Sequence, residues 1–448
     1  MLISKRSCDS HKLNEMQVQL YTVLGLRRSI KSRTLVSYAG SIITNSETSP
    51  LPTIPTLPTI STLPTISTEP NRNRPRFAWA RPPVDLLAGA LVGDIKSLKS
   101  IVGHVQKIDF LDDTGVTALH KAASGGYNDI VQLLLTEGAS IEVVNKDDNT
   151  PLHFAARSGH TSTVELLLSK GASIEVVNKG DKTPLHLAAK SGHTSTVALL
   201  LSKGALIEAM DNWDSTPLSL AASDGHTGTV ELLLSKGALI EAMDYWDCTP
   251  LHLAAWHGHT STVELLLSKG ASIEEVDKND YTSLHHAASS GRTSTVKLLL
   301  SKGASIEAAN NDNYTPLHNA ARRGHTSIVE LLLSKGSSTE AVNRDNYTPL
   351  HCAAMFDYTS IVELLLSKGA SLDAMDIYNN TVLHTAARYN HTSTVKLLLS
   401  KGASMEATNQ YNETPLQIAG RFHNTSVVEL LESVKATNSL ETYETVSG

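Results

Sequence analysis

Threonine recurs at positions 117, 150, 183, 216, 249, 282, 315, 348, 381 and 414, each 33 residues after the one before, with no insertion or deletion. Around it the chain repeats a block that reads Thr150-Pro151-Leu152-His153 within the stretch from Asn145 to Val177. A fixed period of this size confines a chain to stacked units, each making the same contacts with the next. The length of 448 residues alone would suggest two or three domains. The period replaces them with one long solenoid.

The physics of one unit follows from its residues. Thr150 is placed to cap a helix through its hydroxyl, and Pro151 suits the first helical position. Leu152, Ala155 and Ala156 fall at i, i+3 and i+4, which predicts one buried stripe, small enough for a close neighbour. Phe154, Arg157 and Ser158 form the opposite stripe and should be exposed. Gly159 stops this helix, and Thr161 or Ser162 caps a second. Val164, Leu166, Leu167 and Leu168 make that helix apolar nearly all round, which predicts burial between neighbours. Gly171 ends it, and Asn178-Lys179-Gly180-Asp181 turns the chain into the next unit. One such hairpin cannot bury its own apolar surface, whereas a stack can.

The spelling T-P-L-H-x-A-A, followed by G-H, L-L-L and K-G-A, resembles the ankyrin repeat. The resemblance implies an all-α ankyrin-repeat solenoid, with helix–turn–helix units joined by β-hairpin-like turns. Counting 33 back from Thr117 gives Val84, and Val84-Asp85-Leu86-Leu87 aligns without a gap. Gly93-Asp94 then falls under Gly126-Tyr127, and Ile108-Asp109-Phe110 under Ile141-Glu142-Val143. Eleven units therefore occupy 79–435, starting at 79, 112, 145, 178, 211, 244, 277, 310, 343, 376 and 409. At helix-packing distances of ~8–10 Å per step, the stack is on the order of 80–100 Å long. The end units differ from the rest: Ser100 stands where Leu166 does, and Glu432 replaces Leu168. Each end has lost a different leucine, as solubilising caps require.

The flanks carry weaker signals. Residues 1–50 read as a disordered tail; Leu20 to Leu26 followed by Arg27, Arg28, Lys31 and Arg33 makes at most a poor presequence, spoiled by Asp9 and Glu15. Residues 51–68 repeat LPTIPT, LPTIST and LPTIST, an extended, polyproline-like linker running into a basic end at 78. Residues 436–448 are polar and predicted to be a disordered tail. Residues 1–83 hold 11 basic and 4 acidic residues, so +7 there leaves −14 for the rest of a chain of net charge −7. An acidic solenoid is a poor partner for a phosphate backbone, so no nucleic acid is expected on it. No segment approaches the ~20 apolar residues of a membrane span.

Motifs for catalysis are missing: no GxxxxGK[ST], HExxH, GxSxG or kinase HRD/DFG pair occurs. The chain reads as a non-enzyme with no cofactor and no metal. Cys8, Cys248 and Cys352 form no CxxC, which points to a reducing, cytoplasmic or nuclear setting without a disulfide framework or thiolate zinc site. Six N-x-S/T sequons, such as Asn313-Tyr314-Thr315, mostly reuse the capping threonine and read as by-products of the repeat. Among 19 histidines, eight belong to the motif: His120, His153, His186, His252, His285, His318, His351 and His384. They stand one per unit, too far apart to share an ion. In ankyrin repeats, which these resemble, that histidine bonds backbone and links neighbours. A second ladder at the join of the helices, His160, His193, His226, His259, His325 and His391, reads as structural too. Trp256-His257-Gly258-His259 is the one locally dense place.

The second helix is nearly copied between units as TSTVELLLSKGAS, whereas variation gathers in the turns and on the exposed stripe of the first helix. The ankyrin resemblance implies that these two regions line a concave, partner-binding surface. The turns carry Trp213, Tyr245, Trp246, Tyr281, Tyr314, Tyr347, Tyr378 and Tyr411. The first-helix stripe adds Trp256, His257, Arg322, Arg323, Met355, Phe356, Arg388, Tyr389, Arg421 and Phe422. Aromatic residues and arginine dominate protein interfaces. Idle drift would not favour exposed Trp and Tyr, which cost solubility.

The sequence thus predicts a monomeric, non-catalytic scaffold binding another protein, with hot spots at Trp213, Tyr245, Trp246 and Trp256 and a ladder of Tyr281, Tyr314 and Tyr347 beside them. The partner patch should be apolar with basic edges. Three other readings stand beside it. The first is an adaptor that selects clients for a larger assembly such as a ubiquitin ligase. The second is an enzyme with its active site in 1–78, a segment too short and Pro-rich for one. The third is nucleic-acid binding through Arg72, Arg74, Arg76 and Arg81.

Overall fold

Thr150 and its equivalents do what their chemistry suggests. In the next unit the backbone N–H of His186 donates to the Thr183 hydroxyl at 3.4 Å, while the N–H of Thr183 donates to His186 Nδ1 at 3.1 Å. This reciprocal capping box begins most first helices, with proline at the first position in seven of the units. The computed structural model describes residues 82–446, apart from residue 106. The expectations for residues 1–50, the Pro/Thr tract, the arginines at 72–81 and Cys8 lie outside the described residues.

Among the described residues, twenty-two α-helices follow one another as eleven pairs, from Pro82–Val92 with Ile95–Ile101 to Pro415–Arg421 with Thr425–Val446. Among the described residues no strand occurs; the nearest approach is an isolated antiparallel bridge between Met375 and Thr381. The core runs the length of the stack. Leu152, Ala155, Ala156, Val164 and Leu167, with their equivalents in the inner units, are fully enclosed. Successive first helices pack more extensively on one another than successive second helices do, because alanine lets their backbones approach.

Several local expectations need correction. The second helix Thr161–Ser169 is capped at His160, with no side-chain bond from either hydroxyl. Thr161 Oγ1 is used instead between units, 2.8 Å from Thr196 Oγ1. Gly159 ends the first helix at φ 76°, and a Cβ there would come within 2.5 Å of the His193 ring, so glycine is demanded by the next unit as well as by its own turn. The second helix is not buried all round: Thr163, Val164 and Leu167 are enclosed, whereas Leu166 and Leu168 are half-buried. Phe154 and Ser158 are half-buried too, Phe154 meeting the His120 ring edge-on at 5.1 Å between centroids.

At the ends, Ser100 and Glu432 are exposed, as caps should be. The front unit keeps the link to its neighbour: Asp109 accepts from the N–H of Ser140 at 3.0 Å, as Glu142 does from Ser173 one unit later. The last helix runs on to Val446, where a disordered tail was predicted from 436. Lys435, Ala436, Leu440 and Glu441 favour helix, and no glycine or proline interrupts them.

Candidate partner-binding face

Rigid support comes first. In each motif histidine, Nδ1 accepts the threonine N–H, so the ring proton sits on Nε2 and is donated onward. His120 donates to the Asn149 carbonyl at 2.9 Å, His285 to Tyr314 at 2.9 Å and His318 to Tyr347 at 2.9 Å, each in the following unit. Burial lowers these imidazoles; His153, His252, His285, His318 and His351 fall to about 4, so they remain neutral. The second ladder points the other way: His160 Nε2 meets the Ser124 carbonyl at 2.9 Å and His193 that of Arg157 at 3.0 Å. Arg292 takes the same place and donates to the Trp256 carbonyl at 3.0 Å.

The turns are framed by an Asp or Asn at their first position. Asp244 Oδ1 accepts from the N–H groups of Trp246 at 2.8 Å and Cys248 at 2.9 Å. Successive turn tips are tied as well. The N–H of Tyr245 donates to the Trp213 carbonyl at 2.8 Å, and that of Lys278 to the Trp246 carbonyl at 3.1 Å. The tips thus form a continuous bonded row, although no ladder long enough for a strand develops.

On this row the aromatics stand outward. Trp213 is 55% exposed, Tyr245 50% and Trp246 55%. They touch as an edge-to-face chain, 6.4 Å from Trp213 to Tyr245 and 5.2 Å from Tyr245 to Trp246, with Lys278 Nζ 4.1 Å over the Tyr245 ring. Trp256, 47% exposed, stacks on His286 at 5.0 Å and on His257 at 6.5 Å. Arg322, Arg323, Phe356, Tyr378, Arg388 and Tyr389 are exposed. Met355 is half-buried, and its carbonyl accepts from His391.

The tyrosine ladder departs from expectation. Tyr281, Tyr314 and Tyr347 are half-buried, each ring set edge-on against its own motif histidine at 5.5–5.6 Å. Burial raises all three phenols. They brace the joints and show only an edge to the face.

Two features were not legible from spacing. A groove of about 350 Å³ opens near the last units, lined among others by Tyr347, Tyr378, Arg388, Tyr389, Tyr411 and Phe422. Arg388 lies 5.0 Å over the Phe422 ring there. The second feature is a buried trio, Cys248, Asp277 and His286, whose ligating atoms lie within 4.8 Å of one another. Burial pushes the Cys248 thiol up to about 12. Burial would also raise Asp277, but hydrogen bonds from His286, Tyr281 and Asn279 outweigh it and hold the carboxyl below its usual value. A signal for the trio existed: residues 29 apart face each other at several joints, as in Asn149 with Asn178, Lys182 with Asp211 and Asn380 with Asn409.

Among the described residues no helix is long and apolar enough to cross a membrane. No curated protein matches the chain. Among solved structures, the ankyrin repeat domain of human ASB11 is 29% identical over 50% of this chain and 99% of that one, with a TM-score of 0.47. The family model for ankyrin repeats in three copies matches residues 86–178, 175–244, 240–310, 284–376 and 372–439. With matches running from the first described unit to the last, the chain belongs to the ankyrin repeat family.

Proposed function

We propose that this chain is a non-catalytic scaffold that captures a partner protein on its inner face, centred on Trp213, Tyr245, Trp246 and Trp256. Ankyrin repeats are generally protein–protein interaction modules. The observation that carries the reading is a connected aromatic chain, half or more exposed, mounted on tips fixed by Asp-framed turns and tip-to-tip bonds. Rings already held in place lose little freedom on binding, which is the condition for hot spots. The acidic solenoid around them favours a partner patch that is apolar at its centre and basic at its edge.

The test compares full-length chain with the variant Trp213→Ala/Trp246→Ala/Trp256→Ala in affinity capture. The variant should lose its partner, each hot-spot ring contributing about 2 kcal/mol, while thermal unfolding moves little. Undiminished capture with a collapsed melting temperature would show that these rings are packing. A version lacking residues 1–83 separates scaffold from adaptor. A second bound protein retained only by the full chain marks a client-selecting adaptor, and a salt-sensitive nucleic acid lost with the deletion marks the arginines.

A further inference from the structure

At several joints in the stack a turn residue of one unit faces the framing Asp or Asn of the next. Asn178 Nδ2 donates to Asn149 Oδ1 at 2.8 Å, Lys182 pairs with Asp211 at 2.7 Å, and Asn409 Nδ2 donates to Asn380 Oδ1 at 3.0 Å. A third position, nine residues after the framing residue, also reaches it: Lys121 pairs with Asp112 at 3.0 Å. Across most joints these three positions hold residues suited to a hydrogen bond, an ion pair or apolar packing. At the joint between the units starting at 244 and 277 they hold Cys248, Asp277 and His286 together.

We propose that Cys248, Asp277 and His286 form a zinc site that clips these two units together beneath Trp256. The proposal is independent of partner binding. Thiolate, imidazole and carboxylate are the donor set that selects zinc over magnesium or calcium. His286 Nε2 and Asp277 Oδ2 lie 3.0 Å apart, and all three ligand atoms lie within 4.8 Å. Zinc bond lengths place tetrahedral ligands roughly 3.3–3.6 Å apart, so closure needs side-chain shifts of only about 1 Å.

The outer contacts suit the role. Asp277 Oδ1 is held by the N–H groups of Asn279 at 2.8 Å and Tyr281 at 3.0 Å, which leaves Oδ2 for the ion. The His286 ring is clamped between Trp256, stacked at 5.0 Å, and His252, edge-on at 5.5 Å. Binding deprotonates the Cys248 thiol, the proton leaving to solvent. Asp277 binds as the carboxylate, and His286 binds through Nε2 with its proton on Nδ1. Water completes the fourth position. The site escaped the sequence because its ligands, 29 and then 9 residues apart, match no zinc spacing and meet only through the stack.

The repeats supply folding-compatible variants: Ser215, Asn310 and Leu253 occupy the three equivalent positions elsewhere. Full-length chain, stripped with a chelator and titrated with Co²⁺ and then Zn²⁺, should bind one ion. It should show a thiolate-to-cobalt charge-transfer band, visible bands of four-coordinate intensity, and a melting temperature raised by Zn²⁺. Cys248→Ser, with Cys8 and Cys352 untouched, should abolish the charge-transfer band. Loss of an outer contact typically costs 10–100-fold in metal affinity, so Asp277→Asn and His286→Leu should each weaken Zn²⁺ by about 100-fold or more. Circular dichroism confirms that each variant remains folded. Overturning results would be no uptake with the ion in large excess, a cobalt spectrum without the thiolate band, or undiminished uptake by the three variants.

Discussion

Ser219 is the residue that shows most plainly what one side chain contributes. It stands where eight other units place the motif histidine, and its hydroxyl reaches only Thr216 Oγ1 at 3.1 Å. The neighbouring unit's His186 spans to the Ser215 carbonyl at 3.1 Å, and a histidine at 219 would reach Cys248 in the same way. Ser219→His should therefore restore the missing link and raise stability by about 1 kcal/mol, read from the urea midpoint. A fall in the midpoint would mean that the site has repacked around serine. At this scale the sequence was a good guide to Thr150, Pro151 and Leu152, whose roles are set within one turn of helix. It was a poor guide to Tyr281, whose ring is set edge-on against His285, and to Cys248, whose neighbours come from the next unit.

The helices explain why one half of each unit is copied and the other varies. In TSTVELLLSKGAS, Thr161 bonds Thr196, Val164 and Leu167 fill the core, and the segment leads into Glu175, which accepts from the N–H of Leu206 at 2.9 Å. A change there is felt in two units at once. The turn tips are different: Trp213, Trp246 and Tyr378 sit at equivalent positions where backbone alone makes the links, so the side chain is free to vary. Periodicity made the copied half legible, and it located the variable half without saying which rings would be held half-buried. The terminal second helix carries its own test. Glu432 is exposed where inner units have leucine, so Glu432→Leu should keep the fold and promote concentration-dependent end-to-end association in sedimentation. A strictly monomeric variant would remove the cap assignment.

Across the whole molecule, the buried histidines couple the fold to acidity. Five of them lie at about 4 in the folded chain, against an ordinary 6.5. The unfolded chain thus binds more protons, so this stability is complete above pH 6.5 and is lost as pH falls from there towards 4. Each histidine contributes up to about 1.4 kcal/mol per pH unit inside that window. Melting temperatures should fall steeply between pH 6.5 and 4; a flat profile there would show that the rings tolerate charge in place.

The unbroken count of 33 from Thr117 to Thr414 has a consequence of another kind. Because most joints use the same kinds of bond, an inner unit can be removed or duplicated whole without shifting the register of the rest. The distance between the tryptophan cluster and the arginine-rich groove then changes only in fixed notches, so such a protein would track the length of what it grips as a ruler does, by whole graduations.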